Sequence, residues 1–300
     1  MSASNLGAKD NLRGSAFMLL AMASFAIGDG IIKLLGEAFP LSQIIVIRGS
    51  FAVIMLSALT YYLGDLRPLH TTFNKAFMLR LTGEIIATVT FLTALLNMPI
   101  ANATAIMQAL PLTVCMGAAL FLNEQIGWRR LLAIMTGLIG VLLIVQPGTE
   151  GFTTYSIYCI IAIFAATLRD LATRRLDADL PATFVSLVTI VIITLLAMIW
   201  GLFEDWQSVD AVDLTLLAIA SLFLMSGFLS IISAMRFGEV AFVTPFRYSV
   251  LLFSILIGIF IFEEVPNTLA IIGSVIVVTS GIYTFYREQF KRKQTTSAVR

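Results

Sequence analysis

Charged residues are scarce in this chain. Asp, Glu, Lys and Arg make up 12% of the 300 residues, whereas soluble domains carry about 25%. Apolar residues make up 59%, and a soluble protein of this length would leave large apolar patches exposed. The scarcity of charge therefore excludes an ordinary soluble domain and indicates an integral membrane protein.

Cysteine and histidine are scarce as well, and the net charge is small. The two cysteines, Cys115 and Cys159, lie in apolar segments and provide neither a disulfide framework nor a metal-binding spacing. The single histidine, His70, lies in a polar connection, where we expect a solvated loop residue. A net charge of +1 gives no electrostatic footprint for nucleic acid. These absences predict no metal site, no cofactor and no nucleic-acid partner.

Long apolar segments are abundant instead. A helix needs about 20 apolar residues to cross ~30 Å of hydrocarbon, and the sequence contains ten such segments. They are residues 14–35, 41–63, 75–97, 101–122, 128–146, 153–174, 182–203, 213–235, 240–262 and 267–286. Proline marks most of the breaks, at Pro40, Pro68, Pro99, Pro147, Pro181 and Pro266. The predicted fold class is an all-α integral membrane protein with ten transmembrane helices.

Basic and acidic residues alternate between the connections. The basic residues precede span 1, follow span 10 or belong to even-numbered connections: Lys9, Arg13, Arg67, Lys75, Arg80, Arg129, Arg130, Arg174, Arg175, Arg236, Arg287, Lys291, Arg292, Lys293 and Arg300. The odd-numbered connections carry no Lys or Arg and contain Glu37, Glu150, Glu204, Asp205, Asp210, Asp213, Glu263 and Glu264. We call these the basic end and the acidic end. The positive-inside rule predicts that the basic end and both termini face the cytoplasm, in a cytoplasmic (inner) membrane.

The two halves of the chain resemble each other in order and spacing. At an offset of 141, "SFAIGDGIIKLLGEAFP" (24–40) aligns with "AATLRDLATRRLDADLP" (165–181), which places Asp29 on Asp170. At an offset of 140, "ATAIMQALPLTVCMGAALFLNE" (103–124) aligns with "VTPFRYSVLLFSILIGIFIFEE" (243–264). Each half therefore corresponds to one five-helix unit.

An odd number of spans makes the second unit enter the membrane from the opposite side. We therefore predict two inverted five-helix repeats, an arrangement that recurs in secondary transporters. The predicted units are a cytoplasmic tail (1–13), the first repeat (14–148), the second repeat (149–286) and a basic cytoplasmic tail (287–300).

These features together resemble the drug/metabolite transporter superfamily, specifically its ten-helix EamA-type branch, over residues 12–286. The resemblance rests on Asp29 and Lys33, Arg48, "IANATAIMQALPL" (100–112), "FLNE" (121–124), "PFRYSVLLFSILIG" (245–258), "FEEVP" (262–266) and the glycine-rich spans 5 and 10. Asn123 and Glu263 stand where the family usually has glycine. The resemblance implies a secondary transporter that moves a small polar or amphipathic organic metabolite by alternating access. Amino-acid-, sugar-, nucleotide- and vitamin-like cargoes, for example riboflavin, all occur in the family.

Several charged residues lie at membrane depth, away from the basic and acidic connections. They are Asp29, Lys33, Arg48, Glu84, Arg169, Asp170 and Arg247. Left unpaired, they would together cost roughly 17–25 kcal/mol on the insertion scale. Mutual pairing around a water-filled cavity is the less costly arrangement. We therefore expect these residues to line a substrate pathway or its gates.

Depth along the helices predicts which residues pair. Asp29 with Lys33 or Arg48 would close the acidic end, and Glu84 lies nearer the midplane. The basic end would be closed by Asp170 with one of three cations: Arg169, Arg174 or Arg247.

Static roles are the alternative for each of these residues. Lys33 and Arg174 lie near helix ends, from which long basic side chains can reach the interface. Arg48 can pair with a helix-end carbonyl, and the other charges can form fixed pairs that only hold helices together.

Polar side chains beside prolines are further candidates for the pathway. Gln108 lies near Pro111 in span 4, and Tyr248 lies near Pro245 and beside Arg247 in span 9. Proline removes a helical hydrogen bond and can free carbonyl groups there. In membranes such polar groups hold helices together as often as they bind ligands.

Other functions stay open at this point. A passive channel would need a continuous polar or constricted lining, whereas the charges here lie at two depths. A membrane-embedded enzyme would need a nucleophile with a base, or a metal set, and the sequence has no HExxH, GxSxG or P-loop motif. Active transport would be secondary, with Asp29, Glu84 and Asp170 as candidates for carrying a proton. Membrane lipid is the other expected partner, and the sequence does not specify an oligomeric state.

Overall fold

A computed structural model of the protein gives the fold. It describes residues 3–68, 74–122, 127–148, 152–177, 179–237 and 240–298. The predicted loop residue His70 and the predicted turn residues Asn123 and Glu124 lie outside these ranges. Within them the chain is helical and contains no strand.

Twelve α-helices and one 3₁₀ helix make up the described structure. They are α1 (Ala3–Leu35), α2 (Leu41–Tyr62), α3 (Lys75–Asn97), α4 (Ile100–Met107), α5 (Leu110–Leu122), α6 (Trp128–Val145), α7 (Thr154–Thr173), α8 (Ala182–Gly201), α9 (Ala211–Phe237), α10 (Val240–Val243), the 3₁₀ helix Thr244–Tyr248, α11 (Ser249–Phe262) and α12 (Thr268–Ala298).

The all-α, ten-helix membrane fold is confirmed over the described residues. Eight helical segments are long and apolar enough to cross a bilayer, and two shorter apolar helices, Leu131–Val145 and Thr268–Thr284, complete the set. Three predicted breaks coincide with helix starts, because Pro40, Pro99 and Pro181 each stand at the N-cap. A proline is tolerated there because the first N–H groups of a helix have no partner within the helix.

Spans 4 and 9 are interrupted, whereas the sequence predicted each as one continuous segment. Span 4 divides into α4 and α5 on either side of Gln108 and Ala109, and Pro111 follows in the first turn of α5. Span 9 divides into α10, the 3₁₀ helix and α11, with Pro245 inside the 3₁₀ helix. The proline ring clashes with the preceding turn and lacks an N–H. Broken helices at membrane depth are tolerated where they are buried in protein or line a cavity.

The contacts between the halves follow a two-fold exchange. Arg80 on α3 donates a hydrogen bond to Thr189 on α8 at 2.6 Å. Ser221 on α9 donates to the carbonyl of Arg48 on α2 at 2.8 Å. The offset of 141 maps Arg80 onto Ser221 and Thr189 onto Arg48. The same two positions of the repeat therefore contact each other twice, and the second contact has the two halves interchanged. The packing of α1 along α9 and of α3 along α7 follows the same exchange.

Close backbone approach joins the last helix of each half. A Cβ on Gly140 of α6 would lie 2.8 Å from the carbonyl oxygen of Gly273 on α12, and a Cβ on Gly273 would lie 2.5 Å from that of Gly140. Small residues at helix interfaces permit this approach in membranes, where packing rather than hydrophobic burial holds helices together.

The orientation of the bundle gives the first testable prediction. Single cysteines at Gly148 and Gln207, in a background lacking Cys115 and Cys159, should react with an impermeant maleimide added outside intact cells. Cysteines at Pro68 and Asp177 should react only after the membrane is permeabilised, because the positive-inside rule predicts that the basic end faces the cytoplasm. The opposite pattern at either pair would contradict the predicted inverted topology.

Candidate substrate pathway

A buried ion pair joins the two halves at the acidic end. The ammonium of Lys33 lies 2.6 Å from a carboxylate oxygen of Glu264 and donates a second hydrogen bond, 2.5 Å long, to the carbonyl of Met98. The other carboxylate oxygen of Glu264 accepts the N–H of Ile100, the first residue of α4, at 2.9 Å. The side chains of Lys33 and Glu264 are 10% and 23% exposed. We call Lys33, Glu264 and these two backbone groups the acidic-end lock.

The lock corrects two expectations about Lys33. Its partner is Glu264 rather than Asp29, which lies on the same helix one turn away. The side chain is buried inside the bundle, so it does not extend to the membrane interface. The lock joins α1, the start of α4 and the end of α11, and therefore connects the first half of the chain to the second at this end.

The backbone at Glu263 places the lock carboxylate. Glu263 ends α11 in a left-handed conformation with φ 55°, and the N–H of Glu264 donates back to the Gly258 carbonyl at 2.8 Å. This is the helix ending that glycine usually provides, and Glu263 stands at a position where the family usually has glycine. The turn directs Glu264 back over the bundle.

Further hydrogen bonds connect the two halves at the acidic end. The side chain of Gln43 donates to the Gln207 carbonyl at 2.7 Å and accepts the Gln207 N–H at 3.0 Å. Ser42 donates to Glu204 at 2.5 Å. Because each bond crosses from one half to the other, these bonds join the two halves at this end together with the lock.

Asp29 and Arg48 face each other below the lock without direct contact. Both side chains are half-buried, and each feels the electrostatic field of the other. Among the described residues, no ion pair within 4.0 Å involves either one. In this structure Asp29 and Arg48 therefore interact electrostatically over a longer distance and do not form the predicted salt bridge.

A second group of charges lies toward the basic end. Arg169 contacts Glu84 at 3.2 Å and Asp170 at 2.8 Å. Arg80 lies 4.0 Å from Glu84, one helical turn away on α3. The side chains of Glu84, Arg169 and Asp170 are 23%, 26% and 37% exposed. We call these four residues, together with Arg247, the basic-end cluster.

The sequence prediction missed Arg80 as a member of this cluster. Counting along the chain assigned Arg80 to the cytoplasmic connection, whereas the structure places it on α3, one turn from Glu84 and opposite Thr189 of α8. Its spacing of four residues from Glu84 was the available signal, because such residues are neighbours on a helix.

The remaining predicted residues lie at the helix breaks and ends. Arg247, in the 3₁₀ helix, is exposed and interacts electrostatically with Asp170 and Arg169. Tyr248 extends its hydroxyl to Gly281 on α12, where a Cβ would collide with it. Gln108 is half-buried at the break after α4. Arg174 caps α7 with an exposed side chain.

Comparison with known proteins identifies what this architecture resembles. The sequence profile of the EamA-like transporter family matches residues 12–146 and 153–286. An S-adenosylmethionine uptake transporter from Rickettsia prowazekii is 26% identical, covering 94% of this chain and 95% of its own length. A riboflavin transporter from Vibrio cholerae serotype O1 is 28% identical, covering 94% of this chain and 96% of its own. A pseudopaline exporter from Pseudomonas aeruginosa is 25% identical, covering 90% and 94%.

A solved crystal structure shares the fold. It superposes with a TM-score of 0.63 at 14% sequence identity, covering 93% of this chain and 97% of its own.

The lock gives the second testable prediction. Glu264→Gln and Lys33→Met should each lower the thermal unfolding temperature of the purified protein, because each leaves a buried partner uncompensated. The double variant should lose less than the two single losses combined, with a coupling of about 0.5–3 kcal/mol. Glu263→Gln, which removes an exposed neighbouring carboxylate, is the matched control and should leave the temperature nearly unchanged. Additive losses in the double variant would contradict a direct pair.

Proposed function

Because this chain belongs to the EamA-like transporter family of small-molecule transporters, we propose that it carries a small polar or amphipathic organic metabolite by alternating access. The proposed membrane is the bacterial inner membrane, with both termini in the cytoplasm. The relatives are named for S-adenosylmethionine uptake, riboflavin transport and pseudopaline export. These cargoes are all small polar organic molecules, and their names include both directions of flow.

The unequal closure of the two ends carries the proposal. The acidic end is held by a buried ion pair and by hydrogen bonds between the halves. At the basic end, the side chain of Asp170 is 37% exposed and that of Arg247 is also exposed. A carrier that alternates between two states must be closed at one end and open at the other, and this contrast supports an inward-facing state.

The broken helices support the same state. The halves of spans 4 and 9 that lie nearer the acidic end contact each other, because Thr104 on α4 donates a buried hydrogen bond to Ser254 on α11 at 3.0 Å. The halves nearer the basic end pack against different helices. In span 4, α5 contacts α7 through the hydroxyls of Thr113 and Thr167, which lie 2.7 Å apart. In span 9, the 3₁₀ helix lies against α1. Spans 4 and 9 therefore close together at one end and separate toward the other.

Asp29 is the acid best placed to carry a coupling proton. Glu84 and Asp170 both hold Arg169, so protonating either one would break an ion pair. Asp29 has no ion pair within 4.0 Å in the described part of the chain. Its side chain is half-buried and lies in the electrostatic field of Arg48. A proton on Asp29 would therefore disrupt no direct contact.

The third testable prediction concerns the closed end. A cysteine at Thr104, which is buried below the lock, should become accessible to an impermeant maleimide from the acidic end when Glu264→Gln is added. Loss of a closing interaction worth ~1.4 kcal/mol shifts the ratio of the two states about tenfold. The labelling rate should rise by about that factor in a background lacking Cys115 and Cys159. Equal rates for Glu264→Gln and the control Glu263→Gln would contradict a gating role for the lock.

The fourth testable prediction concerns coupling. Proteoliposomes containing the full chain should show saturable uptake and counterflow of at least one of radiolabelled S-adenosylmethionine and riboflavin. Asp29→Asn should abolish accumulation driven by a pH gradient and retain counterflow, because exchange needs no net proton movement. Accumulation that survives in Asp29→Asn would remove this residue from coupling. A passive pore would be favoured if uptake by the parent does not saturate and does not rise above the equilibrium level.

A further inference from the structure

Arg247 differs from every other guanidinium of the basic-end cluster. Arg169 is held by two carboxylates. The terminal nitrogens of Arg80 contact Thr189 and Glu84, and only its buried Nε has no partner among the described residues. Among the described residues, the guanidinium of Arg247 makes no hydrogen bond and no ion pair within 4.0 Å; Asp170 acts on it only at longer range. Five N–H donors on an exposed side chain at membrane depth are therefore available to a ligand.

On this basis we propose that Arg247 binds a carboxylate of the transported molecule. The proposal rests on the proposed function as a carrier. A carboxylate matches the guanidinium in a planar, two-point geometry that fixes orientation as well as charge.

The charge of the cluster favours one negative charge on the ligand. Within the described part of the chain, the acids that act on Arg80, Arg169 and Arg247 are Glu84 and Asp170, so the cluster carries one positive charge in excess. An excess charge at membrane depth is costly unless it is paired or hydrated. A single carboxylate balances it, whereas a doubly charged phosphate monoester would reverse it.

Unpartnered hydroxyls lie on the same segment. The hydroxyl oxygens of Thr244 and Ser249 are buried and have no hydrogen-bond partner in the described structure. Residues three apart lie directly above one another in a 3₁₀ helix, so Thr244 shares a face with Arg247. Buried polar atoms nearly always have a partner, and a ligand carboxylate would supply one.

The inverted repeat separates this arginine from features that serve the fold. Asp29 and Asp170 occupy equivalent positions, and the Arg80–Thr189 contact recurs as Ser221–Arg48. The offset of 140 instead places Met107 opposite Arg247. An arginine present in only one half suits a ligand bound in one orientation, which needs only one anchor.

Matched ligands test the proposal on the purified full chain. The probes are S-adenosylmethionine with its decarboxylated form, and each amino acid with its amide, measured by thermal stabilisation. At least one carboxylate should bind the parent about 10–100-fold more tightly than Arg247→Gln, the range expected for a charged hydrogen bond. Its carboxylate-free partner should not distinguish the two proteins, and Arg247→Lys should fall between them. Arg236→Gln, at the exposed end of α9, is the control for loss of one positive charge.

A second measurement is independent of the cargo. Asp170→Cys, in the background lacking Cys115 and Cys159, should react faster with a sulfonate-bearing thiosulfonate reagent than with its trimethylammonium analogue. Adding Arg247→Gln should remove this preference, and adding Arg236→Gln should retain it. Unlike the ligand series, this rate ratio reports whether a small anion reaches the field of Arg247.

The outcomes separate this proposal from the proposed function. Equal binding of every carboxylate to the parent and Arg247→Gln, stabilisation of the parent by none of them, or no anion preference at Asp170→Cys would overturn the role of Arg247. Unchanged KM for a carboxylate cargo in Arg247→Gln would do the same while leaving the carrier function standing. Carboxylate binding that depends on Arg247, in a protein that transports nothing, would support the site and refute the carrier.

Discussion

The cost of placing charge in hydrocarbon governs the arrangement of this protein. An ionised side chain at the centre of a helix costs about 2.5–3.5 kcal/mol on the insertion scale, so each one needs a partner or water. Lys33 has a carboxylate and a carbonyl within the closed acidic end, whereas Arg169 shares two carboxylates in a more exposed cluster. The contacts that join the two halves at the acidic end follow from where these partners lie.

The inverted repeat provides the scaffold on which the partners are distributed unevenly. Contacts such as Arg80–Thr189 and Ser221–Arg48 occur at equivalent positions in both halves. Glu84, Arg169 and Arg247 instead align with Met225, Gly28 and Met107, at offsets of 141, 141 and 140. In the proposed carrier, symmetric positions would let the two similar halves exchange roles, and asymmetric charges would distinguish one end of the proposed pathway from the other.

Sequence patterns were sufficient for the spans but not for the pairs. Apolar length and proline breaks predicted the membrane helices, because both act locally along the chain. The partner of Lys33 lies 231 residues away, and only the packing of α11 against α1 brings it near. The contact of Arg80 with Thr189 depends likewise on how α3 faces α8. The division of span 4 after Met107 depends on backbone geometry that Pro111 suggests but does not locate.

Charge balance then connects ligand binding to the movement of the basic end. Closing that end would transfer the basic-end cluster, with its excess positive charge, from water-accessible space into a low-dielectric interior. An uncompensated buried charge costs about 3–5 kcal/mol, and ~1.4 kcal/mol already changes a two-state ratio tenfold. The empty cluster should therefore resist closure, and a carboxylate on Arg247 would remove the excess before the charge is buried. A ligand shifts a conformational equilibrium only by its differential affinity for the two states; here that difference would be largest for a singly charged anion.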